Sequence, residues 1–184
     1  MNDEMKHLIL RTEKAISLPE ERRTHLRQWD AELYAKELDL IREDIGFISN
    51  HHSEEAKNLM LDFIAAGCFI VSKTTVKDST ICDLFQKCVE DLAGILSKIP
   101  ANSQEIADVV CRITCMPDFS YGYGYYFNND AVSTFKELLS KDDGFDRLKN
   151  GLTEKLRVTK KKNHEFISRI ERVLNKIARY RKLS

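Results

Sequence analysis

Apolar residues recur along this chain at steps of three and four from near its start to near its end. That spacing keeps one face of an α-helix against a core. Met5, Leu8, Ile9, Thr12 and Ile16 predict a short first helix. Ser17-Leu18-Pro19-Glu20 predicts the start of a second: serine caps, proline suits the first turn, and a glutamate three residues on completes a capping box. Leu26, Trp29 and Leu33 lead into Tyr34, Leu38, Ile41, Ile45 and Ile48, and Ser49-Asn50-His51-His52 breaks the helix.

Ser53 followed by Glu54 and Glu55 marks a third start, because carboxylates favour the positive end of the helix dipole. Leu59, Met60, Phe63, Ile64, Gly67, Ile70 and Val71 cover much of that helix and predict a central position. A polar stretch from Lys73 to Thr80 precedes a fourth helix bearing Ile81, Leu84, Phe85, Cys88, Leu92, Ile95, Leu96 and Ile99, which Pro100 ends. Asn102 and Glu105 cap a fifth, with Ile106, Val109, Val110 and Ile113. Met116 to Asn129 is irregular. Asn129-Asp130 then starts a sixth helix carrying Val132, Phe135, Leu138 and Leu139, closed by Asp142-Asp143-Gly144, and Phe145 to Asn150 predicts a turn or short helix. Leu156, Thr159, Asn163, Phe166, Ile170, Val173, Ile177 and Tyr180 form a heptad seam with two polar members, predicting one long final helix. The expected fold is all-α: a single-domain bundle of about six to eight helices over 1–184, ending in a long heptad-patterned helix.

Composition agrees. With 184 residues and 42% hydrophobic, the chain can bury one substantial core. Three prolines and seven glycines are too few for the turns of an all-β protein. The strongest apolar window, Leu59 to Val71, contains Asp62 and is shorter than the roughly 20 residues that span a bilayer. The opening Met1-Asn2-Asp3-Glu4-Met5-Lys6 is acidic and does not read as a signal peptide. Five cysteines, an odd set, fit reduced thiols. The expectation is a cytoplasmic protein away from membranes.

A net charge of zero hides an asymmetry. Residues 151–184 hold 11 Lys and Arg against 3 Glu, leaving 18 basic and 26 acidic residues in 1–150, so charges of +8 and −8. An acidic body carries a basic C-terminal segment, a pattern that points to a partner.

Known chemistries find little footing. Cys111 and Cys115 share a helical face, but a structural zinc needs four ligands, and Cys82, Cys88, His51 and His52 do not supply the second close pair. A di-iron bundle would need two Glu-x-x-His motifs, and only Glu4 to His7 fits. No metal or cofactor is expected. Gly122 and Gly124 lack the third glycine and the βαβ setting of a dinucleotide fingerprint. A helix-turn-helix at Ser103 to Ala107 fails because Cys111 holds the turn position and Pro117 interrupts the second helix.

Arg157-Val-Thr-Lys-Lys-Lys-Asn-His164 resembles the Arg-(four to six residues)-His signature of the HEPN ribonucleases. That resemblance implies an RNA-directed nuclease with Arg157 and His164 at a dimer interface. It covers the motif alone, and Val158 stands where that family commonly has a polar residue.

Two surfaces remain. In heptad register Lys155, Lys162, Arg169 and Lys176 align, with Arg172 and Arg179 beside them. On one continuous helix they make a basic stripe about 36 Å long, suited to phosphates or an acidic protein. The other surface is Phe119-Ser-Tyr-Gly-Tyr-Gly-Tyr-Tyr-Phe127. There Phe119, Tyr121, Tyr123, Tyr125, Tyr126 and Phe127 combine rigid contact area with glycine freedom, as binding loops do. The expected function is a non-enzymatic protein-binding module of the bacterial immunity, antitoxin or regulatory type, with a protein partner. The alternatives are the nuclease and a non-catalytic nucleic-acid binder using the basic helix.

Overall fold

The computed structural model describes residues 3–17, 28–72, 80–116, 131–159 and 164–181. Every regular element among them is helical, as the periodicity predicts: α1 Asp3–Ile16, α2 Gln28–Ile48, α3 Ser53–Ser72, α4 Thr80–Lys98, α5 Ser103–Thr114, α6 Ala131–Thr134, α7 Lys136–Leu139, α8 Gly144–Val158 and α9 His164–Arg181. The protein is an all-α helical bundle. No described helix is long and apolar enough to cross a membrane. Within the span read as one domain, these helices gather into two compact units, α1 to α4 and α5 to α9.

In the first unit α1 and α2 run antiparallel. The Arg11 guanidinium meets the Asp44 carboxylate near one end, and the Tyr34 hydroxyl donates to the Ala15 carbonyl near the other. Leu38, Ile41 and Ile45 of α2 are fully buried with Met60, Phe63 and Ile64 of α3 and Phe85 and Leu92 of α4. Burying each large apolar side chain stabilises the fold by about 1.5–3 kcal/mol before entropy is counted. Gly67 lets α3 approach the Phe85 ring, which also packs on Phe63 with centroids 5.4 Å apart.

Ser17 closes α1: its amide donates to Glu13 O and its hydroxyl to Lys14 O, serving carbonyls at the helix end. Residues 18–27, including Leu18-Pro19-Glu20 and Leu26, lie outside the described residues.

In the second unit, Asn102 caps α5 by accepting the Glu105 amide at 2.9 Å, as its sequence predicts. The predicted sixth helix is two single turns, α6 and α7, parted at Phe135. Phe145 to Asn150 is no separate turn but the start of the 15-residue α8. Phe145, Leu148 and Leu152 form its buried face, and i, i+3, i+7 spacing holds that face together. Asp142, at φ 49°, turns the chain into it, and a side chain at Gly144 would meet Leu139 O at 2.6 Å.

The long final helix is corrected as well. Thr159 ends α8 in extended conformation, at φ −71° and ψ 109°, and α9 begins at His164. The helices are antiparallel, because Arg181 near the end of α9 bonds Asp146 near the start of α8 at 2.8 Å. The Phe145 and Tyr180 rings lie 6.0 Å apart at the same end. Folding back buries Ile170, Val173 and Ile177 within the unit. The seam is therefore internal to a helical hairpin.

Candidate functional site

Ordinary amphipathic packing leaves a helix's outer face polar. In α2 it does not. Leu33, Leu40 and Phe47 keep 59, 54 and 68% of their surface exposed, values usual for charged side chains rather than for these. They are seven residues apart, and a seven-residue step drifts only about 20° around a helix, so all three fall within about 40° of one another. Fourteen residues at 1.5 Å each make this row about 21 Å long.

The row lies beside the core stripe of Tyr34, Ile41 and Ile48, all buried. Toward α1 it is bordered by Glu37 and Asp44, with Arg11 paired to the latter. A small cavity of about 160 Å³ opens there among His7, Leu8, Arg11, Asp44, Phe47 and Ile48, so Phe47 overhangs a partly polar recess. Toward α4 the row is bordered by Lys36 and Glu43, both exposed. Leu33 was expected in the core. It misses because α1 and α4 cover the two sides of α2 adjoining Tyr34 and Ala35, leaving the next row outward to solvent.

On the α4 side Arg42 anchors the helix. Its guanidinium bonds Asp39 at 2.6 Å and Asp91 at 2.5 Å while keeping only 16% of its surface exposed. Burial opposes its charge, but the two carboxylates outweigh that and raise its pKa. Cys88, buried close by, has its thiol pushed well up by burial. A groove of about 320 Å³ opens along the same flank between Glu32, Lys36, Asp39, Asp83 and Lys87. Its charges are mixed, and no group of three or more metal-binding side chains occurs among the described residues.

In the second unit Cys111 donates its S–H to Cys115. That bond lowers the Cys115 pKa against burial, with Lys155 and Arg169 close by helping, and the same bond together with burial raises that of Cys111. Burial also raises Cys82. Cys82, Cys88, Cys111 and Cys115 are free thiols.

The residues singled out from sequence fare unevenly. Phe119, Tyr121, Tyr123, Tyr125, Tyr126 and Phe127 lie outside the described residues, as does Lys162. Lys155, Arg172 and Arg179 are exposed and Lys176 is half-buried. Arg169 is only 3% exposed, its guanidinium over the Phe166 ring at 5.9 Å. It faces inward because α9 packs on the side where a continuous helix would show solvent. With α8 ending at Val158, Lys155 belongs to a different helix from the other cations, and the six do not form one straight stripe.

Arg157 is exposed at the end of α8 and forks onto Glu154, with both bonds at 2.7 Å. His164 is exposed at the start of α9. Four undescribed residues, 160–163, fall between Thr159 and that histidine. The α2 row was missed in reading the sequence, although its signal is there: a second apolar series, Leu33-Leu40-Phe47, offset by one residue from Tyr34-Ile41-Ile48. Comparison of the chain with protein-family models, with curated proteins and with solved structures gives no match.

Proposed function

We propose that this chain is a non-enzymatic, cytoplasmic protein-binding module of the immunity, antitoxin or regulatory type, and that α2 is its docking face. The observation carrying this is the row of three large apolar side chains left more than half exposed at heptad spacing. Scattered surface leucines need no explanation, but an aligned series rimmed by charge is the form of a helix-binding surface. A straight row about 21 Å long suits the side of another helix better than a small molecule. The free cysteines fit a reducing compartment.

The test is photo-crosslinking inside the cells that make the protein. A benzophenone amino acid at position 40 or 47 is expected to capture a protein, while one at the exposed Lys149 of α8 captures none. Absence of adducts from both α2 positions would overturn the docking face.

A further inference from the structure

We propose that Cys111 and Cys115 are a peroxide-reactive thiol pair, in which hydrogen peroxide oxidises Cys115 and Cys111 closes on it as a disulfide within the last turn of α5. The inference concerns the second unit alone and is independent of the α2 face. Cys115 is the C-cap of α5, and its amide donates to Cys111 O at 3.0 Å, so the two residues stand one turn apart on one helical face. A helix separates such Cα atoms by about 6.2 Å. That is inside the span of about 4.4–6.8 Å that a disulfide bridges.

The surroundings give the two thiols different roles. α8 backs the Cys111 sulfur, since a methyl at Gly151 would lie 3.5 Å from its Sγ, and Cys111 is buried. Cys115 is half-buried, so solvent reaches it. The S–H bond from Cys111 favours the Cys115 thiolate over its burial, and the positive charges of Lys155 on α8 and Arg169 on α9 add to this. The thiolate is the nucleophile, and a sensor thiol works with a resolving thiol beside it. Cys82 and Cys88 are the contrast. They are six residues apart, on different faces of α4, and burial suppresses both thiolates.

The Cys115 thiolate attacks one peroxide oxygen. The S–O bond forms, the O–O bond breaks, and the leaving hydroxide takes a proton to become water, giving a sulfenic acid. Cys111 then gives up its proton and its sulfur attacks that of Cys115. The S–S bond forms, the S–O bond breaks, and the departing hydroxide leaves with that proton as a second water. Closure must tighten the helix end, because Cβ atoms one turn apart lie about 5–6 Å from each other and a disulfide needs about 3.5–4.5 Å. Helix ends open most readily. A disulfide strained in this way is easily reduced, so a small thiol reverses it by exchange.

The test treats the reduced full chain with equimolar hydrogen peroxide, blocks the remaining thiols with iodoacetamide and digests with trypsin, which cuts at Arg112 between the two cysteines. Peptides 99–112 and 113–136 are expected joined by a disulfide, in chains that run as monomers without reductant, and dithiothreitol should part them. Cys115 should oxidise at least about 10-fold faster than Cys82 or Cys88, the advantage in thiolate that one unit of pKa separation gives. Cys111→Ser, with its helix content checked by circular dichroism, should accumulate a sulfenic acid at Cys115 that dimedone captures. Cys115→Ser should leave Cys111 reduced. A wild type in which Cys115 oxidises no faster than Cys82 and Cys88 overturns the proposal. So does oxidation of Cys115 that yields no linked peptides, or that links it to another chain or another cysteine.

Discussion

Replacing Gly67 by alanine sets two effects of known sign against each other. Within a helix alanine is favoured over glycine by about 1 kcal/mol. At Gly67 the new methyl would stand 2.5 to 2.7 Å from Cδ1, Cε1 and Cγ of Phe85, closer than real contacts allow. The ring cannot swing away, since Phe85 is fully buried and already packed on Phe63. Overpacking of this kind costs about 1–3 kcal/mol, and contact with three atoms of a rigid ring argues for the upper half of that range. The net expectation is a loss of about 1–2 kcal/mol, or about 3–6 °C in Tm for a chain of this size. Gly46 and Gly94 are the controls, as helical glycines with nothing within 4 Å of the added methyl. Gly46→Ala and Gly94→Ala should each gain about 0.5–1 kcal/mol. Urea unfolding followed by far-ultraviolet circular dichroism measures all three. If Gly67→Ala proves as stable as the controls, the close approach of α3 to Phe85 is wrong.

Further outcomes follow from other contacts. Arg42→Ala should destabilise by about 1–2 kcal/mol, since hydrogen-bonded charges contribute more than neutral pairs; the figure is held down because Asp91 keeps 36% of its side chain exposed, and a double-mutant cycle with Asp91→Ala that shows no coupling would refute it. Arg169→Ala should cost about 1–3 kcal/mol through lost packing of its buried stem, whereas Arg172→Ala and Arg179→Ala should each change stability by less than about 0.5 kcal/mol; equal effects in thermal melts would return Arg169 to the surface stripe. Cys115 should alkylate at lower pH than Cys82 or Cys88, because its thiolate persists below the ordinary thiol range while theirs is suppressed. Iodoacetamide rates by mass spectrometry check this, and Cys111→Ala, which removes the S–H donor, should move the Cys115 profile back up in pH.

Most of the helices were legible because each has a single apolar face and chemically distinct ends. Ser53 with two glutamates, Asn102 with Glu105, and Pro100 all act within a turn of the chain, so their meaning does not depend on the rest of the fold. Where the reading failed, the deciding interaction was distant in sequence. Leu156 to Tyr180 obeys a heptad on paper, but a heptad says only that a face is apolar. It does not say whether the partner is another chain or the preceding helix. The antiparallel return of α9 onto α8, fastened by Arg181 to Asp146, lies beyond local pattern. Arg169 was misplaced for the same reason, since the register was extended through Thr159, where the backbone leaves the helix.

The α2 row shows the converse. Its periodicity is as regular as that of the core row beside it, and both are equally apolar in sequence. What separates Leu40 from Ile41 is the placement of α1, α3 and α4 around one side of the helix, which burial records and periodicity cannot. A helix with two adjacent apolar rows can be central, covered on both, or peripheral with one row left over. Here the leftover row is rimmed by Lys36, Glu37, Glu43 and Asp44, so it interrupts a charged surface instead of extending the core. Charged rims around apolar centres are what protein interfaces share. The groove beside α2 adds to that rim, with Glu32, Asp39 and Asp83 opposite Lys36 and Lys87. The docking proposed for this chain is therefore placed on the outer row of α2, where apolar surface is left over after α1, α3 and α4 have packed.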